Sequence, residues 1–169
     1  FTALESSDHG VLRTLGMTIP PLPEALDEAD PAATLEANGF RIIQARATHR
    51  RVRRIAAAGA RSPLAEMAID AIRYAIGERT IACFEVEIEA KAGNAQTIIE
   101  PCSRLLLARF APLLRPWPYG KLLTGKSIAQ LLANGELEPL LEAGDIVGPA
   151  ACDAIESYIR LTRQLPAQH

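Results

Sequence analysis

The sequence predicts an α+β fold: an antiparallel β-barrel or tunnel with a polar interior, helices packed outside it and a helical C-terminal region. Three observations carry that expectation. Residues 64–94, LAEMAIDAIRYAIGERTIACFEVEIEAKAGN, place Glu66 and Asp70, and then Glu85, Glu87 and Glu89, on even spacings either side of a glycine-containing turn, the period of β-strands. After Asn94 the apolar residues recur at helical spacing. Apolar residues make up 49% of the chain but aromatics only 5%, so the core is built from Leu, Ile, Val and Ala. At 169 residues the chain holds one domain, or one domain with a helical appendage.

The elements follow in order. Residues 4–16 (LESSDHGVLRTLG) predict a short helix capped by Ser6, Ser7 or Asp8 and ended by Gly16. MTIPPLPEALDEAD is a brief extended piece broken by Pro20, Pro21 and Pro23. DPAATLEANG has Asp30 as a cap, Pro31 for the first turn and Gly39 to close a helix. FRIIQARATHRRVRRIA, from Phe40, contains no acid and predicts a basic strand; Gly59 to Pro63 is a turn. The hairpin then turns at IGER, and its second strand ends at Gly93–Asn94. Helix formers compete within 64–76, but the spacing of charge favours strand. TIIEPCSRLLLARFAPLL predicts a helix with Pro101 near its first turns, and RPWPYG is a rigid break. SIAQLLANGELEPLLEAG and GPAACDAIESYIRLTRQL supply two or three further helices, punctuated by Gly135, Gly144 and Pro149.

Composition narrows the function classes. A net charge of −2 speaks against a general nucleic-acid binder, which carries a broad basic excess. The arginines of 46–54 have no interleaved aromatics and lie near acidic strands, which also disfavours that role. Cys83, Cys102 and Cys152 are odd in number and lack metal-ligand spacing, as expected of reduced thiols in a cytoplasmic protein. His9, His49 and His169 are too dispersed for a metal triad. No apolar run approaches the length of a membrane span, so no membrane partner is expected. Trp117, between two prolines, reads as a packing anchor and His49 as a strand-surface residue.

The charged positions are the chemistry-bearing ones. Side chains two apart on a strand share a face, so Glu66 and Asp70 share one, Glu85, Glu87 and Glu89 share another, and Arg46, Thr48 and Arg50 a third. Phe84, Val86 and Ile88 then point the opposite way, towards the expected helices. Converging polar faces would enclose a cavity lined by acids and arginines, the inverse of a small barrel filled by apolar side chains. Such a cavity suits a polyanion with a divalent metal: carboxylates are hard ligands for Mg2+ or Mn2+, and arginine and lysine match phosphate oxygens. The plain alternative is a solvated strand face with surface ion pairs worth roughly 0–1 kcal/mol each.

Four segments in order, ATHRRVRRI, LAEMAIDAIRYAIG, FEVEIEAKAG and RPWPYGKLLTGKSIAQLL, resemble the CYTH family of triphosphate tunnel metalloenzymes. That family includes inorganic triphosphatases, thiamine triphosphatases and class IV adenylate cyclases. The resemblance covers about residues 35–130. It implies a tunnel domain over 1–130 with 131–169 as its C-terminal helical extension. Glu87 and Glu89 take the E-x-E positions around the metal, with Glu85 extending the same face. Arg46, Arg50 and Lys121 would bind the triphosphate, and Lys121, Glu66 and Asp70 are the expected catalytic set. Gly120 stands where the family often has Ser.

The resemblance implies metal-dependent hydrolysis, with inorganic triphosphate the first choice because no base- or thiazole-recognition pocket is evident. Adenylate cyclase or thiamine triphosphatase activity, or a non-catalytic polyphosphate- or nucleotide-binding role, remain the alternatives. The expected partners are a small-molecule triphosphate or polyphosphate and, as one arrangement of the chain, a second copy in a homodimer. The family's E-x-E-x-K strand and middle strands have no counterpart here, and residues 87–91 spell E-x-E-x-K at the position of the later strand. The chain therefore reads as an incomplete view of a longer tunnel domain.

Overall fold

DPAATLEANG folds as predicted into a helix, α1 (Pro31–Ala37), in the computed structural model, which describes residues 29–59, 62–93 and 95–164. The Asp30 carboxylate accepts the Ala33 N–H at 3.0 Å, Pro31 fills a first-turn position with no N–H to satisfy, and Gly39 follows with φ of 84°. The helix expected at 4–16 and the extended piece after it lie outside the described residues. The chain divides into two compact units, Phe1–Ile43, to which α1 belongs, and Gln44–His169, to which everything below belongs.

The second unit is built on three antiparallel strands in the order β1 (Ala45–Ile55), β2 (Ala65–Ile76) and β3 (Arg79–Ala90). The strand expected from Phe40 begins at Ala45. The β2–β3 hairpin turns where predicted, through Gly77–Glu78, with Gly77 at φ of 59°. Positive φ at the first central position is the hairpin geometry that glycine adopts without strain. The expected barrel is not what these strands form: the sheet is three-stranded and open. Closure requires the first and last strands to pair, and β1 and β3 do not pair with each other.

The register sorts side chains onto two faces. One holds Arg46, Thr48, Arg50, Val52 and Arg54 of β1, with Glu66, Ala68, Asp70, Ile72 and Tyr74 of β2, and Ile81, Cys83, Glu85, Glu87 and Glu89 of β3. Along this single face the chemistry changes: the end near the hairpin turn is apolar and the far end is charged. Two helices, α3 (Lys121–Ala133) and α4 (Pro149–Gln164), complete the core at the apolar end, where Ile72, Tyr74 and Ile81 pack with Ile128, Leu131, Leu137, Ile155 and Ile159. Helix α2 (Gln96–Phe110), which contains Pro101, lies against β3.

This arrangement corrects a second expectation. Phe84 is 66% exposed and does not pack against the core helices, which use the same sheet face as the charges. Alternation identifies which residues share a face, but not where along that face the apolar stretch gives way to charge.

The C-terminal part also differs in detail. Helix α3 starts at Lys121, earlier than the expected Ser127, and SIAQLLANGELEPLLEAG is punctuated where expected but forms no second α-helix. It breaks at Gly135 (φ 72°), passes through a 3-10 turn at Glu138–Leu140 and reaches a short bridge between Glu142 and Ile146. The segment then caps part of the β3 edge: Ala82 N–H donates to Asp145 O at 2.9 Å, and Val147 N–H donates to Ala82 O at 2.8 Å. Arg79 ties the same corner to Glu138 and Asp145 at 2.9 and 2.6 Å.

Candidate functional site: a compensated row of carboxylates

Arg50, Asp70 and Glu85 stand directly opposite one another across β1, β2 and β3. Opposed side chains of neighbouring strands lie within reach of each other, so the register alone builds a cation–acid–acid row. Glu87 joins it from the next same-face position of β3, opposite Ala68, whose methyl leaves that side of the row open. Lys121 enters from above, on the first residue of α3.

The start of α3 is held in place from the sheet. Tyr74 donates its hydroxyl to Lys121 O at 3.0 Å, and Gln44 donates its side-chain amide to Leu122 O at 3.0 Å. Arg46 in turn donates to Gln44 Oε1 at 2.6 Å. Gly125 allows the approach, since a Cβ there would lie 2.5 Å from Tyr74 Cε1. Trp117 anchors the preceding turn by donating its indole N–H to Thr124 Oγ1 at 3.0 Å and meeting Tyr119 edge-on at 5.2 Å.

The result is a dense ionic cluster. Arg50 grips Asp70 with two bonds, Nε to Oδ1 at 2.8 Å and Nη2 to Oδ2 at 2.6 Å, and also donates to Glu87 at 2.5 Å. Lys121 Nζ lies 3.2 Å from Asp70 and 2.9 Å from Glu85, and it donates to Glu87. Asp70 is wholly buried. The Arg50 hydrogen bond, ahead of the opposing effect of burial, holds its carboxyl below the ordinary aspartate value, and Lys121 adds to the effect. The Arg50 guanidinium is held above its ordinary value, first by its bond to Asp70. Burial acts to lower the Lys121 ammonium, but the bonds to Glu87 and Glu85 outweigh it and raise the net value.

Not every expected site residue belongs to this cluster. Glu66 and Glu89 face each other across β2 and β3 with Lys91 between them, at 3.9 and 2.9 Å. Arg46 lies opposite Tyr74 and supports the α3 start through Gln44. Arg50, Asp70, Glu85, Glu87 and Lys121 are brought together. Tyr74 and Gln44, which position Lys121, carry no chemical signature in the sequence that marks them. Among the described residues the three cysteines are free and half-buried, and burial pushes the Cys83 thiol up to about 12. No helix among the described residues is long and apolar enough to cross a membrane.

The donor set can be tested against a divalent cation. One oxygen each from Asp70, Glu85 and Glu87 lies within 4.8 Å of the others. Two ligands of Mg2+ at about 2.1 Å each stand at most about 4.2 Å apart, so these groups fit after a small inward rotation. They are hard carboxylate donors of the right kind. Lys121 Nζ now lies among the same three carboxylates, so it has to move towards an incoming anion for the cation to enter. Three carboxylates against Arg50 and Lys121 leave a charge of −3 + 2 = −1. One divalent cation would turn that to +1, which attracts a polyanion. In comparisons with protein-family models, curated proteins and solved structures, the chain matches none.

Proposed function

We propose that the Arg50–Asp70–Glu85–Glu87–Lys121 row binds and hydrolyses a triphosphate-bearing small molecule, inorganic triphosphate first, with Mg2+ or Mn2+. The observation that carries this reading is the convergence of two cations and three carboxylates on one sheet face. Surface ion pairs scattered along a strand do not need to converge, and a fully buried Asp70 distinguishes this group from them.

Each residue has a role in that reading. Arg50, whose Nε and Nη2 are held by Asp70 and Glu87, offers its Nη1 to a phosphate oxygen, and Lys121 supplies a mobile point charge for another. Asp70 orients both cations from below. Glu85 and Glu87, with Asp70, would hold the divalent ion. When bound there, the ion neutralises phosphate charge and polarises the phosphoryl group. Water attacks the terminal phosphorus, and preorganised positive charge stabilises the developing negative charge. The expected CYTH-type chemistry, including its cyclase and thiamine triphosphatase variants, is consistent with this placement, and so is a purely binding role.

Calorimetric titration with tripolyphosphate, with and without Mn2+, together with chromatography of products from tripolyphosphate, ATP and thiamine triphosphate, separates the readings. The proposal expects binding that Arg50→Ala weakens, with phosphate and diphosphate as products of tripolyphosphate. Tight binding without turnover would reject the hydrolase in favour of a binder, and a cyclic nucleotide from ATP would redirect it to a cyclase.

A further inference from the structure

The sheet face opposite the ionic row is exposed over most of β1 and at Ile69, Arg73 and Phe84, and half-buried at Met67, Ala71, Val86 and Ile88. Strands β2 and β3 present an apolar strip there, with Ile69 opposite Val86 and Ala71 opposite Phe84. Ile69 is 42% and Phe84 66% exposed. Single exposed apolar residues are ordinary, but a contiguous strip on a sheet face is a surface that sheets usually bury against another layer.

Charge borders that strip along β1 and, nearer the hairpin turn, on β2. Arg51 and Arg53 of β1 lie on the same face, opposite Ile69 and Met67, and Arg73 lies opposite Ala47 and Ala82. All three arginines are exposed and none forms an ion pair with a carboxylate among the described residues. This face carries no acidic residue on any of the three strands. A second copy using the same face would therefore bring arginine to arginine, and like charges oppose that pairing.

We infer that this face docks an amphipathic helix of a partner protein, with its apolar stripe on β2 and β3 and an acidic flank over β1. The dimensions agree, since three strands spaced about 4.8 Å apart offer a floor about 10 Å wide, close to the diameter of one helix, about 10 Å. The chemistry agrees as well: aliphatic and aromatic side chains bury against Ile69 and Phe84, carboxylates along the flank over β1 meet Arg51 and Arg53, and one at the end nearest the hairpin turn meets Arg73 on β2. The inference is independent of the triphosphate reading, because it uses the opposite face.

Two labelled peptides of about five helical turns test it, one with a leucine stripe and a glutamate flank, the other with lysine in place of glutamate. Fluorescence anisotropy with the whole chain should show saturable, salt-sensitive binding of the glutamate peptide alone. Phe84→Ala should weaken it. Arg51→Glu with Arg53→Glu should weaken it by about tenfold or more and should confer binding of the lysine peptide; circular dichroism checks that each variant is folded. Equal binding of both peptides, or binding of neither, overturns the inference. Sedimentation with phosphatidylcholine–phosphatidylserine vesicles that the double variant abolishes would reassign the face to lipid. A dimer dissolved by Phe84→Asp would reassign it to a second copy.

Discussion

Asp70 is fully buried and yet held in its ionised form, because Arg50 and Lys121 both reach it. Its depressed pKa has a definite sign: the stabilisation is fully present above the ordinary aspartate value of about 3.9, and it is lost as pH falls through the lower folded value. Lys121 is raised, so its contribution is present below about 10.4 and is lost as pH rises through the higher folded value. Urea unfolding should therefore show a plateau between these limits with a decline on each side. Asp70→Asn should lose about 1–3 kcal/mol at neutral pH and flatten the acid decline, and an unchanged acid limb would show that another carboxylate governs it. Lys121→Met removes the point charge and should weaken tripolyphosphate binding by about tenfold or more in a calorimetric titration, as expected for a charged hydrogen bond.

At the scale of elements, the first residue of α3 decides the site, since it carries Lys121. Gly125 lets α3 lie against Tyr74, and a Cβ added there would stand 2.5 and 2.7 Å from the ring. Gly125→Ala should cost about 1–3 kcal/mol through overpacking and should lower tripolyphosphate affinity by moving Lys121; thermal unfolding and titration measure the two effects separately. The strands and their hairpin were legible because their period and the turn glycine are local signals. The α3 start was not, because Gly120 offers no capping side chain and the helix begins without an acidic first turn. The division of SIAQLLANGELEPLLEAG was partly visible in Gly135, but the 3-10 turn and the pairing of 145–147 with β3 depend on packing.

For the second unit as a whole, one sheet face does two tasks. Its turn end carries the core with α3 and α4, and its far end carries the ionic row. The candidate residues Arg50, Asp70, Glu85 and Glu87 were legible because cross-strand neighbours follow from alternation once the register is set. The separation of Glu66 and Glu89 was not legible, because alternation carries no information about position along the face. Lys91 takes these two acids as its partners and draws them away from the row. The open sheet was also not readable, because charge patterning marks faces and says nothing of closure.

The decisive measurement is release of phosphate from tripolyphosphate with Mg2+ or Mn2+ present. The chain should release phosphate, the folded double variant Glu85→Gln with Glu87→Gln should lose that release, and Glu89→Gln, whose carboxylate pairs with Lys91, should retain it. No metal-dependent release, or full release by the double variant, would contradict the proposed hydrolysis.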